Sequence, residues 1–165
     1  MDVPGYEDVD ICFYDTECTG LGSKDEVIQI AGMVVNQKTF EFKKVFKYYT
    51  FSTVESDPAA FKEHGITPEA LRRLSGERAL EEIIFKELSF FRTQRDIIFV
   101  AYNDKFDQRL VNQTLTNAGA PSISFGRKLS TFSTSISSGR YSVDAQTLFA
   151  KTLNGGFVRP MEEVA

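Results

Sequence analysis

The stretch Ile11-Cys12-Phe13-Tyr14-Asp15-Thr16-Glu17-Cys18-Thr19-Gly20-Leu21 constrains the fold of this chain more than any other. An apolar run of strand length ends in two acids one residue apart, and a glycine turn follows. Ile11 to Tyr14 reads as part of a strand buried on both faces, extending over about Val9 to Thr16. Side chains alternate along a strand, so Asp15 and Glu17 point the same way. Two carboxylates side by side at a buried strand end repel each other and call for a shared cation or a shared proton. Hard divalent cations prefer such oxygen ligands. Taken alone, Asp-x-Glu is equally compatible with an ordinary strand end carrying solvated acids.

The 165 residues suffice for one domain with a real core. Hydrophobic residues at 42% and charged residues at 25% place the chain among globular proteins. No apolar run reaches membrane-spanning length. The N-terminal Met1-Asp2-Val3-Pro4-Gly5 is acidic and lacks a signal-peptide core, so the expectation is a soluble intracellular protein with no membrane association. Cys12 and Cys18 form neither a metal-type cluster nor a disulfide by this reading. The net charge of -4 implies no broad basic surface, so charge alone does not bring this chain to nucleic acid.

Along the chain, residues 1–8 form a polar lead-in and Gly20 to Ser23 a turn. Glu26 to Val35 reads as a second strand and Thr39 to Tyr49 as a third, the three making an antiparallel meander. In the third, the change of parity between Phe42 and Val45 predicts a bulge. Asp57-Pro58 opens the helical part. Thr67-Pro68-Glu69 is a helix start: hydroxyl cap, proline in the first turn, acid at the positive end. That helix stops near Ser75-Gly76. A longer helix is expected over about Glu77 to Arg92, with Leu80, Ile83, Ile84, Leu88 and Phe91 on one face. Ile97 to Ala101 is a fully buried strand, followed by a helix to about Ala118 on which Phe106, Leu110, Val111 and Leu115 make the apolar face. Ser122 to Ser142 reads as a loop region with at most short elements. Val143 to Phe149 starts another helix, ended by Asn154-Gly155-Gly156, and Pro160 opens the first turn of one more.

A further acid belongs with the first two. The strand Ile97 to Ala101 should lie beside the first strand in one sheet. Asp107 then sits in the first turn of the helix leaving it, at the same sheet edge as Asp15 and Glu17. Three acids converging there suit two divalent cations, and such pairs promote in-line attack of water on a phosphodiester. The other reading of Asp107 is a surface acid at the positive end of a helix.

These residues carry a resemblance. Asp15-Thr16-Glu17-Cys18-Thr19-Gly20-Leu21 resembles the first motif of the DnaQ-like (DEDD) 3′–5′ exonucleases, roughly Asp-x-Glu-Thr-Thr-Gly-Leu. Asp57-Pro58-Ala59-Ala60-Phe61 with His64-Gly65-Ile66-Thr67 is similar to the stretch between that family's motifs. Val100-Ala101-Tyr102-Asn103-Asp104-Lys105-Phe106-Asp107 resembles the second motif, Val-Ala-His-Asn-x-x-Phe-Asp. Val143-Asp144-Ala145-Gln146-Thr147-Leu148 resembles the Asp-Thr-x-x-Leu segment beyond it. The match runs in the right order over about residues 8–165.

The resemblance implies a ribonuclease H-like α/β fold: a mixed central sheet of about five strands, an antiparallel meander plus parallel strands, flanked by helices. It implies a metal-dependent 3′–5′ exonuclease acting on DNA or RNA 3′ ends, with proofreading beside a polymerase partner among its roles. Asp15, Glu17 and Asp107 would be the catalytic metal ligands for two Mg²⁺ or Mn²⁺ ions. His64 would touch the terminal nucleotide, Leu21 would pack against a base, and Asn103 would order the site. Cys18, Tyr102 and Ala59 depart from the common Thr, His and Glu, the last with an expected loss of substrate contact. The family's third motif, His-x-x-x-x-Asp or Tyr-x-x-x-Asp, has no counterpart: Tyr141 to Asp144 is one residue too short, which makes Asp144 structural. Residues 1–165 are therefore expected to be a single exonuclease-like domain lacking the C-terminal part of the fold, with weak or no activity of its own. The alternative is a non-catalytic domain that binds nucleic acid or a polymerase.

Overall fold

The computed structural model describes residues 9–129 and 139–146. The antiparallel meander is formed by β1 (Asp10–Cys18), β2 (Val27–Asn36) and β3 (Phe42–Tyr49). Helices α1 (Pro58–His64), α2 (Pro68–Ser75), α3 (Leu80–Lys86) and α4 (Phe90–Thr93) follow. Then come β4 (Ile97–Ala101), α5 (Asp104–Asn117), β5 (Arg127–Leu129) and β6 (Arg140–Asp144). The sheet order is β3-β2-β1-β4-β6-β5, and the pairings of β1 with β4, β4 with β6 and β5 with β6 are parallel. The mixed architecture is the expected one, with six strands where about five were expected.

The local signals act as their chemistry requires. Asp57 caps α1 by accepting from Ala60 N–H at 2.7 Å, and Thr67 caps α2 by accepting from Ala70 N–H at 3.1 Å. The bulge in β3 falls at Lys43: Val34 pairs with Lys44 and Val35 with Phe42. The extra residue turns its ammonium onto buried Asp10 at 3.0 Å.

Two expectations are corrected. The single helix over Glu77 to Arg92 is two helices, because the chain breaks at Glu87 to Ser89. The Glu87 carboxylate is drawn to Arg78, its carbonyl accepts from Lys44 Nζ at 2.7 Å, and Leu88 N–H reaches back to Ile83. The apolar face survives the break, with Leu88 and Phe91 fully buried. The region over Ser122 to Ser142 holds only short elements among its described residues, β5 and the first residues of β6, as expected. Val143 and Asp144 end β6 instead of starting a helix, since their backbone extends the parallel ladder alongside Val100 and Ala101. The helix begins at Ala145 and Gln146 instead; its residues from 147 on, the turn at Pro160 and the lead-in at 1–8 lie outside the described residues.

Register separates the two sheet faces. Cys12, Tyr14, Val34, Phe46 and Phe99 form one cluster with Ile83, Ile84, Phe91, Leu110 and Val111, so α3, α4 and α5 share this face. Val9, Ile11, Val35, Ile98, Val100 and Val143 form a second cluster on the other face. Gly32, between Tyr14 and Phe46 on the helix side, has no room for a side chain. A Cβ there would collide with the Phe13 carbonyl oxygen and lie 2.7 Å from Phe46 Cζ. Gly32→Ala should destabilise the fold by about 2–3 kcal/mol, the usual cost of overpacking. Urea unfolding checks this, and a change under about 0.5 kcal/mol, the scatter of a surface substitution, would count against it.

Candidate functional site

Parallel β1 and β4 bring their C-terminal ends to one sheet edge. Asp15 and Glu17 lie at the end of β1, opposite Ala31 and Gln29 of β2. By alternation they share the face of Ile11 and Phe13. Asp15 is exposed and Glu17 half-buried. Asp107 is in the first turn of α5, which leaves β4 through a short turn, and it is only 5% exposed. It approaches from the helix side, where Thr16 Oγ1 donates to Asp107 Oδ1 at 2.6 Å.

The electrostatics tie these acids together. Burial pushes the Asp107 carboxyl up to about 7, and the charges of Asp15 and Asp104 add to the rise, while the bond from Thr16 opposes it. Burial also raises Glu17, helped by Asp15 and by Glu63 of α1. The charge of Asp15 thus acts on both Asp107 and Glu17. Each additional carboxylate makes the others harder to ionise, which is the condition a bound cation relieves. The donor set of three carboxylates has the hard-oxygen chemistry of a divalent-cation site. Among the described residues, no three His, Cys, Asp or Glu side chains already form a group that could hold a metal ion. The donors therefore fit such a cation in kind, without forming a closed cage.

The expected substrate residues are spread around this edge. Leu21 is 72% exposed on the turn after β1, and its carbonyl accepts from Arg109 of α5 at 3.2 Å. Asn103 is the exposed residue preceding α5. Its carbonyl accepts from the N–H groups of Phe106 and Asp107, and its side chain makes no cap bond. His64 ends α1. Its Nδ1 accepts from Ile66 N–H at 2.9 Å, so the proton sits on Nε2, which faces Ser56 Oγ at 3.0 Å. Burial lowers the His64 pKa, against the pull of Asp57. Its chain neighbour Glu63, rather than His64, is the residue of α1 whose charge reaches Glu17.

A cavity of about 540 Å³ opens beside these residues, lined by Thr19, Phe51, Ser56, Phe61, Ile66 and Arg72 among others. Asp15, Glu17 and Asp107 are not in its wall.

Two residues near the acids carried no signal strong enough to be named from sequence. Asp104 is 2% exposed and accepts from Gln108 at 2.7 Å. Burial raises its pKa, and the charge of Asp144 adds to this. Its spacing of three from Asp107 puts both on one helical face, which was the available hint. Thr16 had none, because its contact spans 91 residues.

The fold has counterparts among solved structures. E. coli exonuclease I in complex with a dA16 oligonucleotide superposes with a TM-score of 0.59 at 20% identity, over 68% of this chain and 24% of that one. The zinc-bound form of the E. coli exonuclease I–ssDNA complex aligns with the same score, identity and coverage. A moderately thermophilic exonuclease I from Methylocaldum szegediense gives 0.57 at 20% identity, over 65% of this chain and 23% of that one. The chain thus spans about a quarter of the length of these proteins and shares their fold. No curated protein sequence matches it. A model of the exonuclease family (RNase T) matches residues 12–143, from the start of the buried run in β1 through Val143 of β6. Because that match takes in both acid-bearing segments and most of the chain, this protein belongs to the exonuclease family of the DEDD superfamily.

Proposed function

We propose that this domain hydrolyses phosphodiester bonds at the 3′ ends of DNA or RNA, releasing nucleoside monophosphates, with Mg²⁺ or Mn²⁺ held by Asp15, Glu17 and Asp107. The observation that carries this reading is the convergence of Asp15, Glu17 and Asp107 at one sheet edge, where the charge of Asp15 acts on both Glu17 and Asp107. The chemistry such cations supply when bound is activation of water and stabilisation of the leaving 3′ oxygen. The chain's own residues supply the rest. Asp15 and Glu17 offer oxygen donors from a rigid strand, and Asp107 offers one from a helix start. Exposed Leu21 stands on the adjoining turn, available to pack against a terminal base, and Asn103 lies exposed where α5 begins. His64, neutral and held through Nδ1, can turn its Nε2–H from Ser56 to a substrate oxygen. An acidic chain of net charge -4 approaches a phosphodiester only with cations between the like charges.

The test is a single-stranded DNA and an RNA oligonucleotide, each labelled at either end, incubated with Mn²⁺ or with EDTA. Mononucleotides should leave the 3′ end alone and only with Mn²⁺. Release from the 5′ end, or release in EDTA, would overturn the reading.

One observation favours a second reading, a non-catalytic domain that holds nucleic acid or a polymerase. His64, the sole histidine, is engaged by Ser56 and Ile66 rather than turned to the acids. This reading expects oligonucleotide retention without hydrolysis in the same assay.

A further inference from the structure

We infer that Thr16 is a positioning residue for Asp107, clamping its carboxylate in the single orientation that a divalent cation meets. The inference rests on the proposed role of Asp107 as a metal ligand. It starts from strand lengths. The β1–β4 ladder stops at Phe13 and Val100, and β4 itself ends at Ala101, yet β1 continues to Cys18. On the side where β4 has ended, the β1 backbone has no strand partner. The first turn of α5 follows the end of β4, and from it the Asp107 carboxylate meets the Thr16 side chain.

Thr16 meets it with its hydroxyl, which reaches Oδ1 at 2.6 Å, the length of a charge-assisted bond. Alternation puts the Thr16 side chain on the face opposite Asp15 and Glu17. One short strand segment therefore offers two carboxylates from one face and, from the other, grips the third. Asp107 is buried, so few other donors can replace the hydroxyl. A carboxylate fixed through Oδ1 no longer samples rotations about its terminal torsion, so cation binding does not have to select one of them. Partners that orient a metal ligand in this way typically contribute about 10–100-fold to metal affinity.

The experiment measures Mn²⁺ binding to the full chain by titration calorimetry without nucleic acid, for the parent, Thr16→Val, Thr16→Ser and Asp107→Asn. Thr16→Val keeps the shape and loses the hydroxyl, and its Mn²⁺ affinity should fall about tenfold. Thr16→Ser keeps the hydroxyl and should stay within about threefold of the parent on the same scale. Metal-free urea unfolding of Thr16→Val, Asp107→Ala and the double variant provides a second readout, in which the two substitutions should be non-additive. Non-additivity with unchanged Mn²⁺ affinity in Thr16→Val would leave the contact purely structural and overturn the inference. So would an equal loss in Thr16→Ser and Thr16→Val. If Thr16→Val does not fold, the Thr16→Ser titration decides, and a fall of tenfold there overturns the inference. Parent-like Mn²⁺ binding by Asp107→Asn would show instead that the ligand role of Asp107 is wrong.

Discussion

Asp15→Asn should lower 3′-end hydrolysis by about 10³-fold while leaving the fold intact. The size follows from charge. A divalent cation contributes several kcal/mol of transition-state stabilisation, and each ~1.4 kcal/mol is a factor of ten in rate. Asparagine matches aspartate in shape and keeps one oxygen donor, so the loss is of the negative charge alone. Asp15 is exposed, and its side chain takes no part in either core cluster, so packing is undisturbed. The substitution has a second signature. Asp15 raises the pKa of both Glu17 and Asp107, so its removal should let both ionise at lower pH. Activity within tenfold of the parent, from Asp15→Asn protein that unfolds normally, would remove Asp15 from the reaction.

The second large effect is on stability, and its sign is opposite to that usual for a buried acid-to-amide change. Asp107 titrates at about 7 in the folded chain, against an ordinary value of 3.8. Between those values the folded state holds a proton that the unfolded state has released. Stability therefore falls as pH rises through about 4 to 7, and the loss is complete above 7. Asparagine cannot ionise, and its Oδ1 can still accept from Thr16. In EDTA, Asp107→Asn should thus be more stable than the parent by on the order of 3 kcal/mol at pH 8 and nearly equal to it at pH 4. Added Mn²⁺ favours the ionised carboxylate, so it should restore the parent at pH 8 and do little for the variant. Urea unfolding across this pH range measures all of these. A destabilised Asp107→Asn at pH 8 would show that the bond from Thr16 outweighs the burial of the charge.

These two expectations describe one trade. The parent chain keeps a carboxylate where ionising it costs stability, and a hydrophobic or amide side chain would serve the fold better. Sites that retain such groups are commonly functional.

Much of this was written in local sequence. The buried run before Asp15, the Thr67-Pro68-Glu69 helix start, the bulge between Phe42 and Val45 and the apolar face of α5 all depend on interactions within a few residues, where periodicity and capping decide. The positions of Asp15 and Glu17 at the end of β1 and of Asp107 in the first turn of α5 were legible for the same reason. The tertiary structure alone decided the rest. Glu87 ends α3 early because Arg78 and Lys44 compete for its carboxylate and carbonyl. Val143 and Asp144 are strand because Val100 and Ala101 offer a parallel ladder to residues whose own pattern also suits a helix. Asp107 is held by Thr16 because β1 outruns β4, a difference in strand length that no window of either segment contains. Local preference is set by neighbours in the chain, whereas these outcomes are set by partners tens of residues away, whose positions exist only once the sheet has formed.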